Sequence, residues 1–400
     1  MYALISVSDK TNLDTLCEFL LSKNYKIIST GGTYKYILEH FPDRNSDILQ
    51  IDEITKFPEI LNGRVKTLHP MIYGSLLYDR TNENHQIDIL KHQIPDINLV
   101  VVNLYPFEKV LKNNSSYQEI IENIDIGGHT LIRACIKNND NINILTNPNQ
   151  YDKFILSNLD DNEFKQELVL EGLNYITNYD NCIESYFLNL YNNNHKYLRN
   201  YKFDSHLKYG CNPYQDFSGI YSINSEQVPF KILNGNFGYI NAIDALNSWQ
   251  LVKELSQTLG KECAASFKHT SPAGVGTSKE LSPLLRTIYN IKESEYSSLS
   301  PSAIAFIRAR NTDPMSSFGD FIAISHIVDE SCALQIKKEI SDGIIAPEYT
   351  PEALEILQNK KNGKYIILQA NNLYENKNEV EFREIYGMAL CQSVNNYKMN

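Results

Sequence analysis

The sequence predicts an α/β protein made of two successive domains, the first organised around a parallel sheet. Three observations carry that reading. Short apolar runs alternate with segments of helical period over residues 1–150, the pattern of strands joined by covering helices. The run INLVVVNLY at 97–105 has the continuous apolar character of a strand buried on both faces. After a polar, unpatterned stretch, YNNNHKYLRNYKFDSH at 191–206, the alternation resumes. Four hundred residues exceed one ordinary core, so two domains, 1–195 and 205–400, are expected, with the boundary in that stretch.

In chain order, YALISV (2–7) is the first strand and ends at Ser8-Asp9-Lys10. Leu13, Leu16, Cys17, Leu20 and Leu21 then recur at helical spacing, with Thr11 or Asn12 as the cap. KIIS (26–29) is a second strand, and GGT opens a helix over 33–40. IDIGGHTLIRACIKN (124–138) reads as a turn into a helix, INILT (142–146) as a further strand, and 162–190 as a long helix or helix pair on the sheet. The second half begins with a turn-rich loop, KYGCNPYQ (208–215). Strands are expected at 217–223, 264–269, 321–325, 343–346 and 365–369, and helices at 239–259, 302–310, 329–340 and 351–360. The last stretch, EVEFREIYGMALCQSVNNYK (379–398), ends without an identifiable terminating domain element.

Composition narrows the function. A net charge of −11 and a pI near 5.4 argue against a chain that coats nucleic acid, which needs a basic face. A local basic pocket for a small anion is still compatible with that charge. The seven cysteines are scattered and never spaced C-x-x-C, which suggests reduced thiols in a cytosolic protein and provides no metal framework. The start MYALISVSDKT does not have the form of a signal peptide, and no apolar run reaches the roughly 20 residues of a membrane span. The abundant Tyr and Asn read as compositional drift.

Several stretches could carry chemistry. STGGT (29–33) lies between a strand and a helix, where Gly31 and Gly32 amides, the helix N-terminus and the hydroxyls of Ser29, Thr30 and Thr33 would suit a phosphate monoester. Alone, it reads more readily as an ordinary strand–helix turn. Ser6, Ser8, Lys10 and Asn103–Tyr105 also follow strands, and loops at the carboxyl edge of a parallel sheet gather at one site. Asp125-Ile126-Gly127-Gly128 could present amides to a developing oxyanion, and Arg133 and Lys137 share a face of the helix that follows. The loop NGRVKTLHP (62–70) crowds Arg64, Lys66 and His69 around Val65 and Leu68 with no carboxylate inside it. A half-buried cationic loop of this kind is expected to be anchored to something anionic.

Together these stretches resemble the bifunctional purine-biosynthesis family that carries AICAR formyltransferase and IMP cyclohydrolase activities. ISVSDKT, STGGT, FPEILNGRVKTLHP, VVNLYPF and IENIDIGG-TLIRA-IKN stand in that family's order and spacing. KYGCNPYQ, LNGNFGYINAIDALNSWQLVKEL, ASFKHTSPAGVG, MSSFGDFIAIS and SDGIIAPEYTPEALEIL continue the match to about residue 390. The resemblance implies a first domain folded like methylglyoxal synthase that closes formylated carboxamide ribotide (FAICAR) to inosine monophosphate (IMP) with loss of water, needing neither metal nor cofactor. It implies substrate contacts at Ser8, Lys10, Ser29, Thr30, Gly31, Gly32, Thr33, Arg64, Thr67, His69, Asn103, Gly127 and Gly128. Lys66, Tyr105, Asp125 and Lys137 are the implied proton-handling set, their acid and base roles left open. The cationic loop would then have the nucleotide as its partner. His129 stands where the family usually has proline or a small apolar residue. NGRVKTLHP and VVNLYPF set the chain apart from a phosphate-eliminating lyase of the methylglyoxal synthase type; a non-catalytic nucleotide-binding scaffold is the other alternative.

For the second domain the resemblance implies one zinc-free, cytidine-deaminase-like α/β lobe of the formyltransferase. Lys268 and His269 match its catalytic pair, and Lys208, Tyr209, Gly319 and Asp342 its ribotide contacts. Lys208 replaces an arginine, Tyr214 a histidine and Pro314 a common arginine, and the family continues for nearly another lobe. Formyl transfer from the co-substrate 10-formyltetrahydrofolate is therefore expected to be lost or impaired, full bifunctionality being the alternative. A cytoplasmic homodimer without nucleic-acid or membrane partners is expected.

Overall fold

The structure is a computed structural model, and it describes residues 1–113, 115–157, 162–191, 199–212, 214–223, 228–375 and 380–397. The chain separates into two compact units, Met1–Leu198 and Arg199–Asn400. Residues 192–198 of the stretch read as a boundary lie outside the described residues.

The first unit holds a five-stranded sheet of β1 (Tyr2–Val7), β2 (Lys26–Ser29), β3 (Ile48–Gln50), β4 (Ile97–Asn103) and β5 (Asn143–Leu145). The order is β3-β2-β1-β4-β5, with every neighbouring pair parallel. Leu4, Ile5, Ile27, Ile28, Leu99 and Val100 are fully buried in it, as expected for a sheet covered on both faces. The helix Leu13–Ser22 buries the five residues at its helical spacing, each contributing roughly 1.5–3 kcal/mol on burial. Its cap position is Asn12, but in the left-handed region (φ 55°) with no side-chain capping bond, while Thr11 bonds Asp9 instead. Residues Asn162–Leu190 form one continuous helix. Because the strand order runs outward in both directions from β1 and β4, their carboxyl ends, at Ser8 and Asn103, flank the point where such sheets open a crevice.

The second unit contains β6 (Tyr201–His206), β7 (Gly219–Ile223), β8 (Phe230–Asn234), β9 (Cys263–Phe267), β10 (Pro272–Thr277), β11 (Asp320–Ile324), β12 (Ser341–Ala346), β13 (Ile366–Ala370), β14 (Val380–Ile385) and β15 (Met388–Ser393). Six of these form a mixed sheet, β10-β9-β11-β12-β13-β8, in which β11, β12 and β13 run parallel and the others antiparallel to their neighbours. Strand alternation divides its core: Ile322 and Ile324 pack with the helices Pro301–Arg310 and Glu330–Lys338, Phe321 and Ala323 with the helix Tyr239–Leu259. Residues 201–206, read from sequence as linker, form β6 and pair with β7. β10 was also hidden in the sequence, because PAGVGT is glycine-rich for a packing reason. A Cβ at Gly274 would lie 2.0 Å from the Ala309 carbonyl oxygen, so only glycine lets the helix lie this close. Within the 379–398 stretch, whose residues 379 and 398 lie outside the described residues, β14 and β15 form a hairpin joined by Tyr386 and Gly387, both at positive φ.

Candidate active site

Asn103, at the end of β4, organises the crevice edge. Its Oδ1 accepts the Ser8 and Asp9 N–H groups at 2.6 and 2.8 Å, and its Nδ2 donates to the Asp9 carbonyl at 2.9 Å. It therefore fixes the turn that carries Ser8 and half-buried Lys10 more than it offers itself to a ligand. Asp9 is held below the usual carboxylate range by the Thr11 hydroxyl and amide. The hydroxyls expected at a phosphate are partly committed too: Ser29 donates to the Ile5 carbonyl at 2.7 Å, and Thr33 donates to the Val7 carbonyl at 3.0 Å. Thr30 lies 3.0 Å from the Ser6 hydroxyl. What remains for a ligand in STGGT is the first turn of the helix Gly31–His40, and nothing would meet a Cβ at Gly32 within 4 Å.

The loop 62–70 joins two such helix starts. Ile60 and Val65 bridge across a tight bend at Gly63, whose φ is +87°. A Cβ at Gly63 would fall 2.5 Å from Lys66 Cε, so glycine there is what lets the lysine fold back. Lys66 Nζ ends 3.2 Å from the Cβ position of Gly31. The next residue, buried Thr67, places Oγ1 2.9 Å from the Cβ position of Gly127, in the first turn of the helix Gly127–Lys137. His69 caps the helix Pro70–Leu77, its Nδ1 accepting the Met71 N–H at 3.2 Å. A neutral ring so bonded carries its proton on Nε2 and offers a donor.

Arg64 and Lys66 of the loop have protein partners, where the resemblance implied the nucleotide as the loop's partner. Glu59 Oε1 lies 3.1 Å from Lys66 Nζ, and Glu122 pairs with Arg64 through both carboxylate oxygens. Neither acid lies inside the nine-residue loop, so the stretch by itself could not show them.

Asp125 accepts the Gly128 N–H at 2.8 Å and also the Tyr105 N–H. Burial pushes its carboxyl above the usual value, against these two bonds and the nearby His129. The Gly128 amide is thus taken by Asp125 instead of standing open to an oxyanion, and Tyr105 contributes its backbone while its ring is half exposed. Two tyrosines of the long helix complete the frame: Tyr175 Oη accepts the Leu104 N–H at 2.9 Å and Tyr179 Oη the Asp125 N–H at 2.7 Å. The reading of tyrosine as compositional drift passes over them; their i, i+4 spacing in LNYITNY is the signal the sequence offers. His129 turns away to Asp180, 3.1 Å distant. Lys137 is not brought to this cluster. It is exposed at the last residue of the helix whose first turn forms the cluster, about 15 Å along the axis at 1.5 Å per residue.

In the second unit, the helix Tyr239–Leu259 gathers the expected residues along its first turns. Tyr209 packs on Gly238, where a Cβ would lie 2.0 Å from its ring, and Lys208 Nζ stands 5.6 Å from the Tyr209 ring centre. Asn241 Nδ2 reaches Asp342 Oδ2 at 3.4 Å, while Asp342 Oδ1 takes Lys361 at 2.6 Å. Three residues further on, Asp244 meets His269 at 3.1 Å and the Thr270 N–H at 2.5 Å. Lys268 donates to the Phe318 carbonyl and lies 3.1 Å from the Cβ position of Gly319 (φ +76°). Tyr214 is almost fully exposed, and the Pro314 carbonyl accepts Arg310 at 3.1 Å. Asp244 escaped the sequence reading, although an acid amid the buried Ala242, Ala245 and Ser248 was a visible anomaly. Among the described residues no group of three or more His, Cys, Asp or Glu could hold a metal ion, and no helix is long and apolar enough to cross a membrane.

Comparison with known proteins bears on both units. The family model of the AICARFT/IMPCHase bienzyme matches residues 135–400, and that of the MGS-like domain residues 12–130. The chain belongs to the AICARFT/IMPCHase family. Among curated members, the bifunctional purine biosynthesis protein PurH of Oceanobacillus iheyensis is 36% identical over 402 residues, covering 98% of this chain and 72% of that protein. PurH of Prochlorococcus marinus subsp. pastoris is 34% identical over 410 residues, covering 98% and 74%. Family membership and the α/β fold with an MGS-like first unit agree with the sequence analysis. Members of this family act in purine biosynthesis, and 10-formyltetrahydrofolate serves their formyl-transfer step.

Proposed function

We propose that the first unit is an IMP cyclohydrolase acting on FAICAR. The observation that carries the reading is that consecutive residues, Lys66 and Thr67, reach the first turns of two helices beside the β1–β4 crevice, with half-buried Asp125 at the second. Two helix starts and an ammonium favour an anionic, oxygen-rich ligand. In the reaction the carboxamide nitrogen bonds to the formyl carbon. The formyl oxygen leaves as water, taking one proton from the carboxamide nitrogen and one from the formamide nitrogen. Lys66 stabilises the oxygen as it gains negative charge, and Asp125, raised by burial, receives the proton from the attacking nitrogen. Ser8, Lys10, Thr30, Gly31 and Gly32 hold the phosphate, and Arg64 and His69 close over the nucleotide, Arg64 exchanging Glu122 for it. Lys137 takes no part in this scheme.

In the second unit the departures at Lys208, Tyr214 and Pro314 support impaired formyl transfer, because a lysine lacks the bidentate fork of an arginine. Purified protein supplied with FAICAR is expected to form IMP, whereas AICAR with 10-formyltetrahydrofolate yields little or none. IMP from both mixtures would refute the impairment; nucleotide binding without IMP from FAICAR would refute the cyclohydrolase and favour a scaffold. The protein acts as a cytoplasmic homodimer in this reading. The hairpin β14–β15 leaves Ile385, Met388 and Leu390 exposed, an apolar ribbon suited to cover by a second copy. Sedimentation should show a dimer, and a monomer independent of concentration would contradict it.

A further inference from the structure

We propose that Asp244 is the positioning residue of the second unit, fixing the His269 ring in one tautomer so that its Nε2 lone pair faces outward as a proton acceptor. The inference does not depend on the cyclohydrolase reading and concerns a different unit.

Asp244 is an acid in the interior of a 21-residue helix and is only 1% exposed. A buried carboxylate is tolerated when each oxygen has a donor. Here Oδ1 accepts the Thr270 N–H at 2.5 Å and Oδ2 lies 3.1 Å from His269 Nδ1. If the neutral imidazole carried its proton on Nε2, the Nδ1 lone pair would face a carboxylate lone pair at that distance. The geometry therefore requires the Nδ1–H form, which leaves Nε2 unprotonated. His269 is half exposed, and among the described residues Nε2 has no hydrogen-bond partner.

The rest of the turn is held as firmly. Thr270 sits at φ +61°, Lys268 N–H donates to the Ser271 carbonyl at 3.1 Å, and Asn247, one further turn along the same helix, reaches the Thr270 carbonyl at 3.4 Å. One helix face thus positions the turn at residues 244 and 247, while Lys268 is tied to the Phe318 carbonyl from the other side. A decayed surface turn would need none of these bonds. The second unit presents an oriented base whose Nε2 can take a proton from an amine nucleophile, whatever formyl flux the chain supports.

The test reads the ring directly. In uniformly 15N-labelled full-length protein, long-range proton–nitrogen correlation at a pH where the ring is neutral, assigned by the signal lost in His269→Gln, should show His269 as the Nδ1–H tautomer. In Asp244→Asn the amide keeps its oxygen toward Thr270 and turns its NH2 to Nδ1, so the ring should switch to the Nε2–H form. Asp244→Glu, which retains a carboxylate, should keep a larger Nδ1–H fraction than Asp244→Asn. An Nε2–H tautomer in the unsubstituted protein would overturn the proposal, and that result needs no variant to fold. An unchanged tautomer in a folded Asp244→Asn protein would overturn it equally.

Discussion

Lys66→Ala is expected to lower the conversion of FAICAR to IMP by at least about 100-fold, mostly in kcat, a loss of about 2.7 kcal/mol of transition-state stabilisation. The ammonium is the one cationic group within 3.2 Å of the Cβ position at the Gly31 helix start in the described geometry, and Gly63 is shaped to let it fold there. Its partner Glu59 offers a contrast: Glu59→Gln removes the 3.1 Å ion pair but leaves the ammonium in place, so it should cost under about tenfold. Steady-state assays of the three proteins, with circular dichroism to confirm folding, make the comparison. A Lys66→Ala protein within tenfold of the unsubstituted rate would remove the lysine from the chemistry and leave it a structural tie for its loop.

The second large effect concerns stability. Asp320 begins β11, is fully buried, and has its carboxyl pushed up from 3.8 to about 6, chiefly by burial. The Ser266 hydroxyl, at 2.5 Å, and the charge of Arg310 oppose that rise only in part, and Oδ1 has no hydrogen-bond partner among the described residues. Below pH 3.8 the carboxyl is protonated both folded and unfolded and favours neither state. Between there and about pH 6 the unfolded chain releases the proton while the folded one retains it, so stability falls as pH rises. The full loss, on the order of 2–3 kcal/mol, is in place above about pH 6. Asp320→Asn should abolish this contribution. Urea midpoints of the second unit from pH 4 to 7 should show the variant gaining on the unsubstituted protein by that amount, and parallel curves would disprove it.

Both expectations depend on features that differ in how legible they were. The strands YALISV and INLVVVNLY could be read because a strand buried on both faces must be apolar along its length, and β1 and β4 are. β3 could not, because three residues carry no period. β10 could not, because the close approach of the helix Pro301–Arg310 demands glycines, which read locally as a turn. The site follows the same division. Lys66, Thr67, Asp125, Lys268 and His269 stand within recognisable motifs, while Glu122 reaches its partner from a distant stretch with no local mark, and Asp244, Tyr175 and Tyr179 carry only a weak one, an acid among small buried residues and an i, i+4 pair.

By itself the sequence determined the fold class and the family and marked the loops proposed to carry the chemistry, because apolar period and motif spacing are properties of neighbours along the chain. Only the tertiary structure decided what each polar group does. Asn103 spends its amide on a turn 94–95 residues away, Gly128 gives its amide to Asp125, and Arg64 finds a carboxylate 58 residues on. Lys137, on the right helix, is left at its far end. The physical reason is that a hydrogen bond or ion pair is settled within about 3 Å of space, whichever parts of the chain the fold brings there.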